Sequence, residues 1–443
     1  MALFALLLSI ILIIVLTTRF SLHPFLSLFV VALLYGFLTG MPPALILSSI
    51  NDGFGSTLGK IGLIIIFGII IGAFLEHSGG AYTLAEKTLH IIGRNHVTAA
   101  MGIIGYIISI PVFADSGFLL VAPLNKSLSK KAGISLAGSA IALALGLTAS
   151  HTMVPPTPGP IAAAGILGAD LGLVMLLGLP ISALAVIPCL VYASTYASRT
   201  YIDPAPGIAG PESDRQPTGA PGVVRSSLPV LVPIALIVLK SVAGFLGVQP
   251  GTTLSTTVGF AGDPVIALLL GTLLALVLPR TLTPEMLSSD GWVGKAIKDA
   301  ATIILVTGAG GMFGKILQNS GIASDLGKSL VGMHISILLP FVLAAAIKTA
   351  QGSSTVALIT TASIILPMMT PLGFVSELQK ALVVLAIGAG SAVVSHANDS
   401  FFWVVTQLTG MNVKTGYRLH TLGTLVLGTS AATIIFLCYL VLT

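Results

Sequence analysis

The chain has 443 residues, of which 55% are hydrophobic and only 8% are charged, and its formal net charge at pH 7 is +5. Soluble domains carry about 25% charged residues, so this chain cannot cover a globular surface of its size with charged groups. A water-soluble enzyme, a nucleic-acid-binding protein and a disordered tail are therefore excluded. The recurring apolar runs of about 20 residues predict an all-α polytopic membrane protein.

Six apolar segments precede a polar centre, and six more follow it. The first six are predicted at 2–18, 22–39, 59–76, 97–124, 134–168 and 170–196. Residues 2–16 lack a basic start and a small-residue cleavage site, so we interpret them as a retained first helix rather than a signal peptide. The later six are predicted at 227–247, 264–279, 300–317, 335–370, 378–409 and 417–442.

The polar centre contains five prolines and charges of both signs, which is typical of a linker. The sequence therefore divides into three predicted parts. They are a first transmembrane repeat over 1–197, a central polar cytoplasmic linker over 198–226 and a second transmembrane repeat over 227–443.

Short matches recur in the same order in both halves, at offsets of about 240 to 245 residues. One match can arise by chance in an apolar chain, but four in register indicate a duplication. The matches are His23-Pro24 with Asp263-Pro264, Leu75–Gly79 with Leu317–Gly321, Lys87–Leu89 with Lys328–Leu330, and Ser150-His151 with Ser395-His396.

Two segments contain a polar break between apolar arms. Residues 97–130 are basic at both ends and break at 111–117, which indicates a re-entrant hairpin whose tip stops inside the membrane. Residues 335–370 break similarly at 348–355. Each half then has about five transmembrane crossings plus one re-entrant hairpin and one broken helix, and this odd number predicts two inverted repeats. Lys and Arg concentrate in the loops of one side, which the positive-inside rule makes cytoplasmic, with both termini outside.

Polar residues inside apolar segments are costly and are therefore candidates for function. At the first hairpin tip, Asp115 lies beside Ser116 and Gly117 as a lone carboxylate among about thirty apolar residues. All three are candidates for substrate binding, and Asp115 is also a candidate for proton coupling. A role for Asp115 as a helix N-cap is compatible with both.

The second hairpin tip offers a cation, hydroxyl groups and an amide. A helix that begins at Ser353 or Ser354 would aim unpaired N–H groups at the membrane centre and favour an anion there. Lys348 would add a full positive charge; the alternative is that it extends to the membrane interface, as long basic side chains often do. The substrate-binding candidates at this tip are Lys348, Gln351, Gly352, Ser353, Ser354 and Thr355.

A proline-rich break follows Ser150. Four prolines within 155–160 cannot continue a helix. An unwound backbone at membrane depth must be surrounded by protein or line a water-filled cavity, and a surface loop is the alternative. We predict that His151, Thr152 and Thr157 contact a polar solute here.

The equivalent place in the second half is the polar segment from Ser395 to Trp403. Asn398 is a further substrate-binding candidate. Imidazole titrates near neutrality and a neighbouring carboxylate tunes it, so His396 and Asp399 join Asp115 and His151 as proton-coupling candidates.

At these four clusters the sequence resembles the GntP-type gluconate permease family of bacterial inner-membrane symporters, over nearly the whole chain. The resemblance implies proton-coupled uptake of small hydroxylated carboxylates by a multi-pass inner-membrane protein, on an ion-transporter fold with paired re-entrant hairpins. The motifs that carry it are Phe113–Phe118, His151-Thr152 with the proline run 155–160, Gly352–Ala357 and Ser395–Asp399.

Two positions depart from the family pattern. Members that take gluconate tend to have Glu where Asp115 stands and Arg where Lys348 stands. The resemblance implies gluconate or a related sugar acid as substrate. The two departures, both at hairpin tips, argue against gluconate itself and make D-serine, glycerate and four- or five-carbon sugar acids alternatives.

Other functional classes fit these motifs less well. Ser, His and Asp could form an intramembrane hydrolase, but the Ser-His pairs are duplicated, whereas a catalytic triad is one asymmetric set. A channel would hardly need two broken hairpins. No cofactor is expected, because nothing resembles a nucleotide-binding loop. The expected partners are a small organic anion, protons and the lipid bilayer, without nucleic acid; sodium coupling and a homo-oligomer stay open.

Overall fold

The computed structural model describes residues 2–93, 96–204, 219–246, 251–321 and 337–442, and all regular secondary structure in these ranges is helical. Six of the described helices are long and apolar enough to cross a membrane. A seventh span results if the bent pair Ser255–Ala261 and Pro264–Leu276 is counted as one. The predicted all-α membrane class is therefore confirmed.

The first half contributes nine α-helices to the described part of the chain. They are α1 (Ala2–Thr18), α2 (Pro24–Leu38), α3 (Pro43–His77), α4 (Gly80–Ile92), α5 (Val97–Ile108), α6 (Ala114–Lys131), α7 (Leu136–Met153), α8 (Pro158–Leu167) and α9 (Leu171–Thr195). A short 3₁₀ turn, Ala197–Arg199, follows α9.

The second half begins four residues earlier than predicted, at Val223 instead of residue 227. Its described helices are α10 (Val223–Phe245), α11 (Thr253–Ala261), α12 (Pro264–Leu276), α13 (Pro284–Leu287), α14 (Trp292–Asn319), α15 (Leu338–Gln351), α16 (Ser354–Ile365), α17 (Glu377–Ser391), α18 (Ser400–Thr409), α19 (Val413–Gly416) and α20 (Leu422–Leu442). A 3₁₀ turn, Leu366–Met368, follows α16, and a π-helical turn, Tyr417–Thr421, precedes α20.

Two of the four matched motifs occupy equivalent places in the structure, whereas Ser150-His151 lies in the last turn of α7 and Ser395-His396 lies after the end of α17. His23 and Asp263 cap α2 and α12, because each side chain accepts a hydrogen bond from the backbone N–H two residues later. Gly79 and Gly321 follow α3 and α14, and both have φ of +78°. Residues 205–218 of the linker and the match at 328–330 lie outside the described residues. The inverted orientation of the halves and the domain boundaries stay predictions.

The two long helices α3 and α14 pack closely against each other. A Cβ at Gly53 would lie only 2.7 Å from the carbonyl oxygen of Gly311, so the approach requires glycine. Helix α3 begins well before the predicted segment 59–76, because polar residues in its first turns find partners on α14. Asn319 donates a hydrogen bond from Nδ2 to Ser49 Oγ at 2.8 Å.

Helix α7 lies at the centre of the described structure, and of its 18 residues all except His151 are buried. Its small side chains let α5 approach, since a Cβ at Gly146 would overlap the carbonyl oxygen of Gly102. Small residues of this kind are enriched where membrane helices pack. The end of α7 and the proline run after it are buried, which excludes the surface-loop alternative.

Each of the two predicted hairpins consists of two helices that meet at a break. Helices α5, α15 and α16 have 12, 14 and 12 residues, or about 18–21 Å, less than the ~30 Å hydrocarbon core, and these lengths support re-entrant arms. Helix α6, with 18 residues, is about 27 Å long and is the longest of the four arms. The breaks cover 109–113 and 352–353, so they are shorter than predicted. Asp115, Ser116 and Gly117 consequently lie in the first turn of α6 rather than in the break.

Candidate functional site

Three helix N-termini and the end of α7 surround one cavity of about 300 Å³. The helices that begin here are α6 at Ala114, α16 at Ser354 and α18 at Ser400. Helix N-termini carry partial positive charge and unpaired N–H groups, so the cavity suits an anion. Its walls are formed by Phe113–Asp115, Thr148, His151, Lys348, Gln351–Thr355, Ala392, Ser395 and Asn398–Phe401.

A buried ion pair forms one wall of this cavity. Lys348 Nζ lies 2.6 Å from Asp399 Oδ2, and the side chains are 1% and 10% exposed. Nζ also donates to the carbonyl oxygen of Gly352. Lys348 therefore does not extend to a membrane interface, and its charge is neutralised within the protein by a residue of the second broken helix.

Asp399 receives three hydrogen-bond donors. Besides Lys348, the Ser395 hydroxyl donates to Oδ2 at 2.5 Å, and the backbone N–H of Phe401 donates to Oδ1 at 3.1 Å and so caps α18. Donors of this kind stabilise a carboxylate in its ionised form. These contacts favour a role for Asp399 as the permanently charged partner of Lys348. Its role in proton coupling stays a prediction.

Asp115 has a different environment. Its side chain is half-buried, lines the cavity and accepts a long hydrogen bond, 3.5 Å, from Ser400 Oγ. Acceptor capacity is therefore left on a carboxylate that faces the proposed anion site. Among the described carboxylates of the cavity, Asp115 is the better candidate for gaining and losing a proton.

The second hairpin tip has the predicted helix start. Helix α16 begins at Ser354, and Ser353 Oγ accepts the N–H of Val356 at 3.3 Å. Gly352 has φ of +93°, and a Cβ there would overlap the carbonyl oxygen of Asn398. The tip thus packs directly on the second broken helix, and only glycine combines this backbone conformation with this close approach.

His396 and Asn398 bind the last carbonyl groups of α15. His396 Nε2 lies 2.7 Å from the carbonyl oxygen of Thr349, and Asn398 Nδ2 donates to the carbonyl oxygens of Thr349 and Ala350 at 3.0 Å. Asn398 also lines the cavity, whereas His396 does not. These contacts cap α15 and tie the second broken helix to the second hairpin.

His151 faces the cavity from the last turn of α7. Its ring lies 5.8 Å from the ring of Phe113, between centroids. Its Nδ1 is buried and has no hydrogen-bond partner within the described part of the chain. A buried polar atom without a partner is costly.

Five candidate residues do not line this cavity. Besides His396, they are Thr152 and Thr157, whose hydroxyls donate to the carbonyl oxygens of Thr148 and Val154 at 2.9 and 2.6 Å, and Ser116 and Gly117 on α6. A Cβ at Gly117 would lie 2.7 Å from Leu147 Cδ2, so this glycine serves packing against α7. The two threonine hydroxyls thus donate to carbonyl oxygens of neighbouring residues and not into the cavity.

Ser116 faces a second cavity of about 240 Å³. Phe113 lines both cavities and is a shared wall between them. The second cavity is otherwise lined by charged and titratable groups, namely Glu76, His77, Lys295 and Asp299, and by small and apolar residues of α3, α14 and the first hairpin break.

Sequence reasoning did not select several residues that contact the site. Thr148, Ser395 and Ser400 line the cavity, and His420 Nε2 lies 3.1 Å from Ser395 Oγ. His420 is fully buried, within the segment 417–442 that the sequence predicts as an apolar helix. The signal was available, since a titratable residue at that depth is a candidate for function.

Comparison with known proteins decides the family. The family model described as GntP family permease matches residues 1–441. The chain belongs to the GntP permease family. A gluconate permease of Pseudomonas aeruginosa is 35% identical over 98% of this chain and 97% of its own length. The D-serine transporter DsdX of Escherichia coli is 32% identical over 95% of this chain and 94% of its own length.

The fold of this GntP family member is also similar to those of solved transporters. The YdaH transporter of Alcanivorax borkumensis matches with a TM-score of 0.67 at 15% identity, over 94% of this chain and 98% of that one. MtrF of Neisseria gonorrhoeae matches with a TM-score of 0.63 at 14% identity, over 88% and 83%. These likenesses concern the fold.

Membership of the family confirms three expectations. The chain is a permease and not an enzyme, because the family and its relatives are transporters. It is a multi-pass protein of the inner membrane, where a 34% identical permease, YgbN of Escherichia coli, is also found. The resemblance carried by the four motif clusters is therefore correct.

Proposed function

We propose that this GntP permease is a proton-coupled symporter that carries a small hydroxylated carboxylate, gluconate or a related sugar acid, into the cell. The observation that supports this most is the cavity at the hairpin tips, where a buried lysine and three helix N-termini meet. A cation and converging N–H groups at membrane depth are arranged for a carboxylate group.

The lining supports a hydroxylated and small substrate. A volume of about 300 Å³ is at the lower end of the range for ligand pockets. Beyond the carboxylate subsite, the hydroxyl and amide groups of Ser354, Thr355, Gln351 and Asn398 face the cavity. The two hydroxyl groups can donate or accept a hydrogen bond. The amide nitrogens of Gln351 and Asn398 already donate to backbone carbonyl oxygens, so these side chains offer mainly their amide oxygens as acceptors for substrate hydroxyls.

A second candidate is a D-serine or glycerate permease. Asp115 favours the amino acid, since this carboxylate lines the same cavity as the α16 N-terminus and could accept a hydrogen bond from an ammonium group while the substrate carboxylate binds at α16. Relatives of both kinds exist, a gluconate permease and a D-serine transporter.

Coupling between proton and substrate transport would arise from repulsion between Asp115 and the anionic substrate. Asp115 faces the same cavity as the proposed anionic substrate, and two negative charges at short range in a low-dielectric site repel strongly. Protonation of Asp115 removes this repulsion, so proton and anion bind together. Of the other proton-coupling candidates, His151 lines the cavity, while His396 and Asp399 are held by the capping and ion-pair contacts described above.

The intramembrane hydrolase alternative does not match the geometry. In a catalytic triad the imidazole lies between the nucleophilic hydroxyl and the carboxylate. Here Ser395 lies between Asp399, at 2.5 Å, and His420, at 3.1 Å, so its hydroxyl is bonded to the carboxylate instead of to a base.

Counterflow in proteoliposomes tests the proposal. Proteoliposomes are preloaded in turn with gluconate, glycerate, D-serine and four- or five-carbon sugar acids, and exchange with the labelled compound identifies the substrate. Net uptake of that substrate into empty proteoliposomes is then followed with an internal pH dye, because exchange alone moves no net protons. We expect exchange of one hydroxy acid and acidification of the interior during its net uptake. Exchange of D-serine alone would favour the second candidate, and net uptake without any proton movement would contradict symport with H⁺.

A further inference from the structure

We propose that His420 is a positioning residue for transport: held neutral with its proton on Nε2, it orients the Ser395 hydroxyl that supports Asp399 and thereby sets how firmly Asp399 holds Lys348. This inference rests on the proposed function and deepens it, because it concerns how Lys348 becomes available to the substrate.

The π-helical turn and the first turn of α20 hold Ser395 by three hydrogen-bond contacts. His420 Nε2 lies 3.1 Å from Ser395 Oγ. The hydroxyl of Thr421 donates to the Ser395 carbonyl oxygen at 2.6 Å, and the Ser395 N–H donates to Thr424 Oγ1 at 3.0 Å. Residue Val394, just before Ser395, has φ of +53°, a conformation that β-branched residues rarely adopt. π-helical turns and strained residues of this kind concentrate at functional sites.

Hydrogen-bond accounting assigns the proton of His420. Asp399, paired with Lys348, is a carboxylate and can only accept, so the single hydroxyl proton of Ser395 points to Asp399. The Ser395 oxygen is then the acceptor for the His420 Nε2–H group. Nδ1 of His420 is buried and has no hydrogen-bond partner within the described residues. A second ring proton there would have no acceptor, so the ring is held neutral.

The surroundings of His420 agree with a neutral ring. The residue is 0% exposed and lies against the rings of Phe401 and Phe402, at centroid distances of 5.7 and 6.1 Å. The elements around it carry the following charged and titratable groups: His151 on α7, Cys189 and Tyr192 on α9, Tyr196 just after α9, Lys348 on α15, Asp399 at the start of α18, Lys414 on α19, and Tyr417 and Arg418 on the π-helical turn.

The chain of hydrogen bonds has a consequence for substrate binding. A substrate carboxylate at the cavity competes with Asp399 for Lys348. Asp399 tolerates the loss of Lys348 only if its other donors, the Ser395 hydroxyl and the Phe401 N–H, stay in place. Without the His420 donor, Ser395 is free to rotate away, Asp399 depends more on Lys348, and the substrate binds less well.

Two substitutions at position 420 separate this role from simple packing. The amide nitrogen of Gln reaches the place of Nε2 and keeps a donor to Ser395, whereas the shorter Asn ends near the place of Nδ1. We expect His420→Asn to raise the apparent substrate constant in counterflow about three- to tenfold, as for one lost hydrogen bond, with less than a twofold change in maximal rate. His420→Gln should resemble wild type. The matched control is His90→Asn, an exposed histidine on α4.

A double-mutant cycle tests the path through Ser395. Ser395→Ala should reproduce the effect of His420→Asn, and the double variant should be no worse than Ser395→Ala alone, since both changes remove the same link. The proposal would be overturned if the fold-changes of the two single variants multiplied in the double variant, or if His420→Gln were as impaired as His420→Asn. If His420→Asn does not fold, the comparison of Ser395→Ala with His420→Gln decides: an unimpaired Ser395→Ala or an impaired His420→Gln overturns it.

Thermal unfolding of the purified variants gives a substrate-free readout. We expect the unfolding temperatures to rank the variants in the same order as the substrate constants do. His420→Gln should unfold near the wild-type temperature, and the effects of His420→Asn and Ser395→Ala should not add in the double variant. A wild type that exchanges none of the acids would contradict the proposed function alone, because the unfolding series still tests the hydrogen-bond chain.

Discussion

Lys348 and Asp399 form an ion pair in the wall of a cavity whose proposed substrate is itself an anion. A buried charge without a partner is expensive, so the lysine needs a counter-ion whenever the cavity lacks one. Asp399 supplies it at 2.6 Å, and Ser395 and Phe401 supply the donors that keep Asp399 charged. The pair is therefore suited to exchange one carboxylate partner for another.

We expect Lys348→Gln to raise the apparent substrate constant more than tenfold and to lower the unfolding temperature. Breaking a buried pair by removing one partner costs about 3–5 kcal/mol, and half of that already exceeds one decade in affinity. Lys348→Arg should be milder, because the charge is kept. The control is Lys348→Gln with Asp399→Asn, which should recover stability but not binding. An unchanged substrate constant in Lys348→Gln would remove this lysine from the site.

Asp115→Asn should separate transport from proton coupling. The amide resembles the protonated carboxyl group, so exchange of substrate is expected to continue while proton-driven accumulation is lost. Counterflow and, during net uptake, acidification of the interior are measured on proteoliposomes from the same preparation. Asp290→Asn, at an exposed carboxylate on the α13–α14 connection, is the matched control and should behave as wild type. Proton movement at the wild-type ratio in Asp115→Asn would move the coupling to another group.

The elements that build the site are helices interrupted near the middle of the protein. Each interruption leaves helix ends whose backbone groups are unpaired. His396 and Asn398 bind carbonyl oxygens at the C-terminus of α15 from a neighbouring interruption, and Asp399 caps the N-terminus of its own helix, α18. The N-termini of α6, α16 and α18 face the cavity. The same breaks that weaken the helices thus create the polar surface that a substrate needs.

Gly352→Ala should impair transport far more than an alanine at another left-handed glycine. Gly352 has φ of +93° and lies against the Asn398 carbonyl, whereas Gly373 has φ of +82°, and a Cβ added there would meet no described atom within 4 Å. Strained backbone costs about 1–3 kcal/mol at either position. The additional loss of counterflow and of unfolding temperature in Gly352→Ala, compared with Gly373→Ala, reports the cost of the clash with the Asn398 carbonyl oxygen. Equal effects of the two variants would show that packing at the tip is unimportant.

At the scale of the whole molecule, residues from both halves of the chain line the site. The polar tips at Asp115 and Gln351 come from different halves and line one cavity. An inverted relation between the halves would let the hairpins enter from opposite membrane faces and meet in the middle.

Cysteine labelling tests this inverted arrangement. In a variant with Cys189 and Cys438 replaced by alanine, single cysteines at Lys130 and Ser376, both exposed, should label from opposite faces, the first from the cytoplasm. A membrane-impermeant maleimide added to intact cells and to inverted vesicles distinguishes the two. Labelling of both positions from one face would contradict the inverted repeats.

Much of the architecture follows from composition and local chemistry. With 8% charged residues the chain has no alternative to a membrane, and prolines, glycines and N-capping residues locate the breaks within a few residues. The start of α16 at Ser354 is predictable because a serine cap acts on N–H groups of its own first turn. The breaks at 109–113 and at the end of α7 lie a few residues from their predicted places, since helices continue wherever packing outweighs a weak local signal.

The sequence by itself determined the class of protein, the helices, their breaks and the polar residues at each break, because these depend on interactions between residues close together in the chain. Only the tertiary structure decided the partners. Lys348 is 51 residues from Asp399, and Ser395 is 25 residues from His420, so a lysine at the interface and a lysine in a buried pair look alike in the sequence. Long-range pairing depends on which helix ends meet in space, and that is set by the packing of the whole bundle.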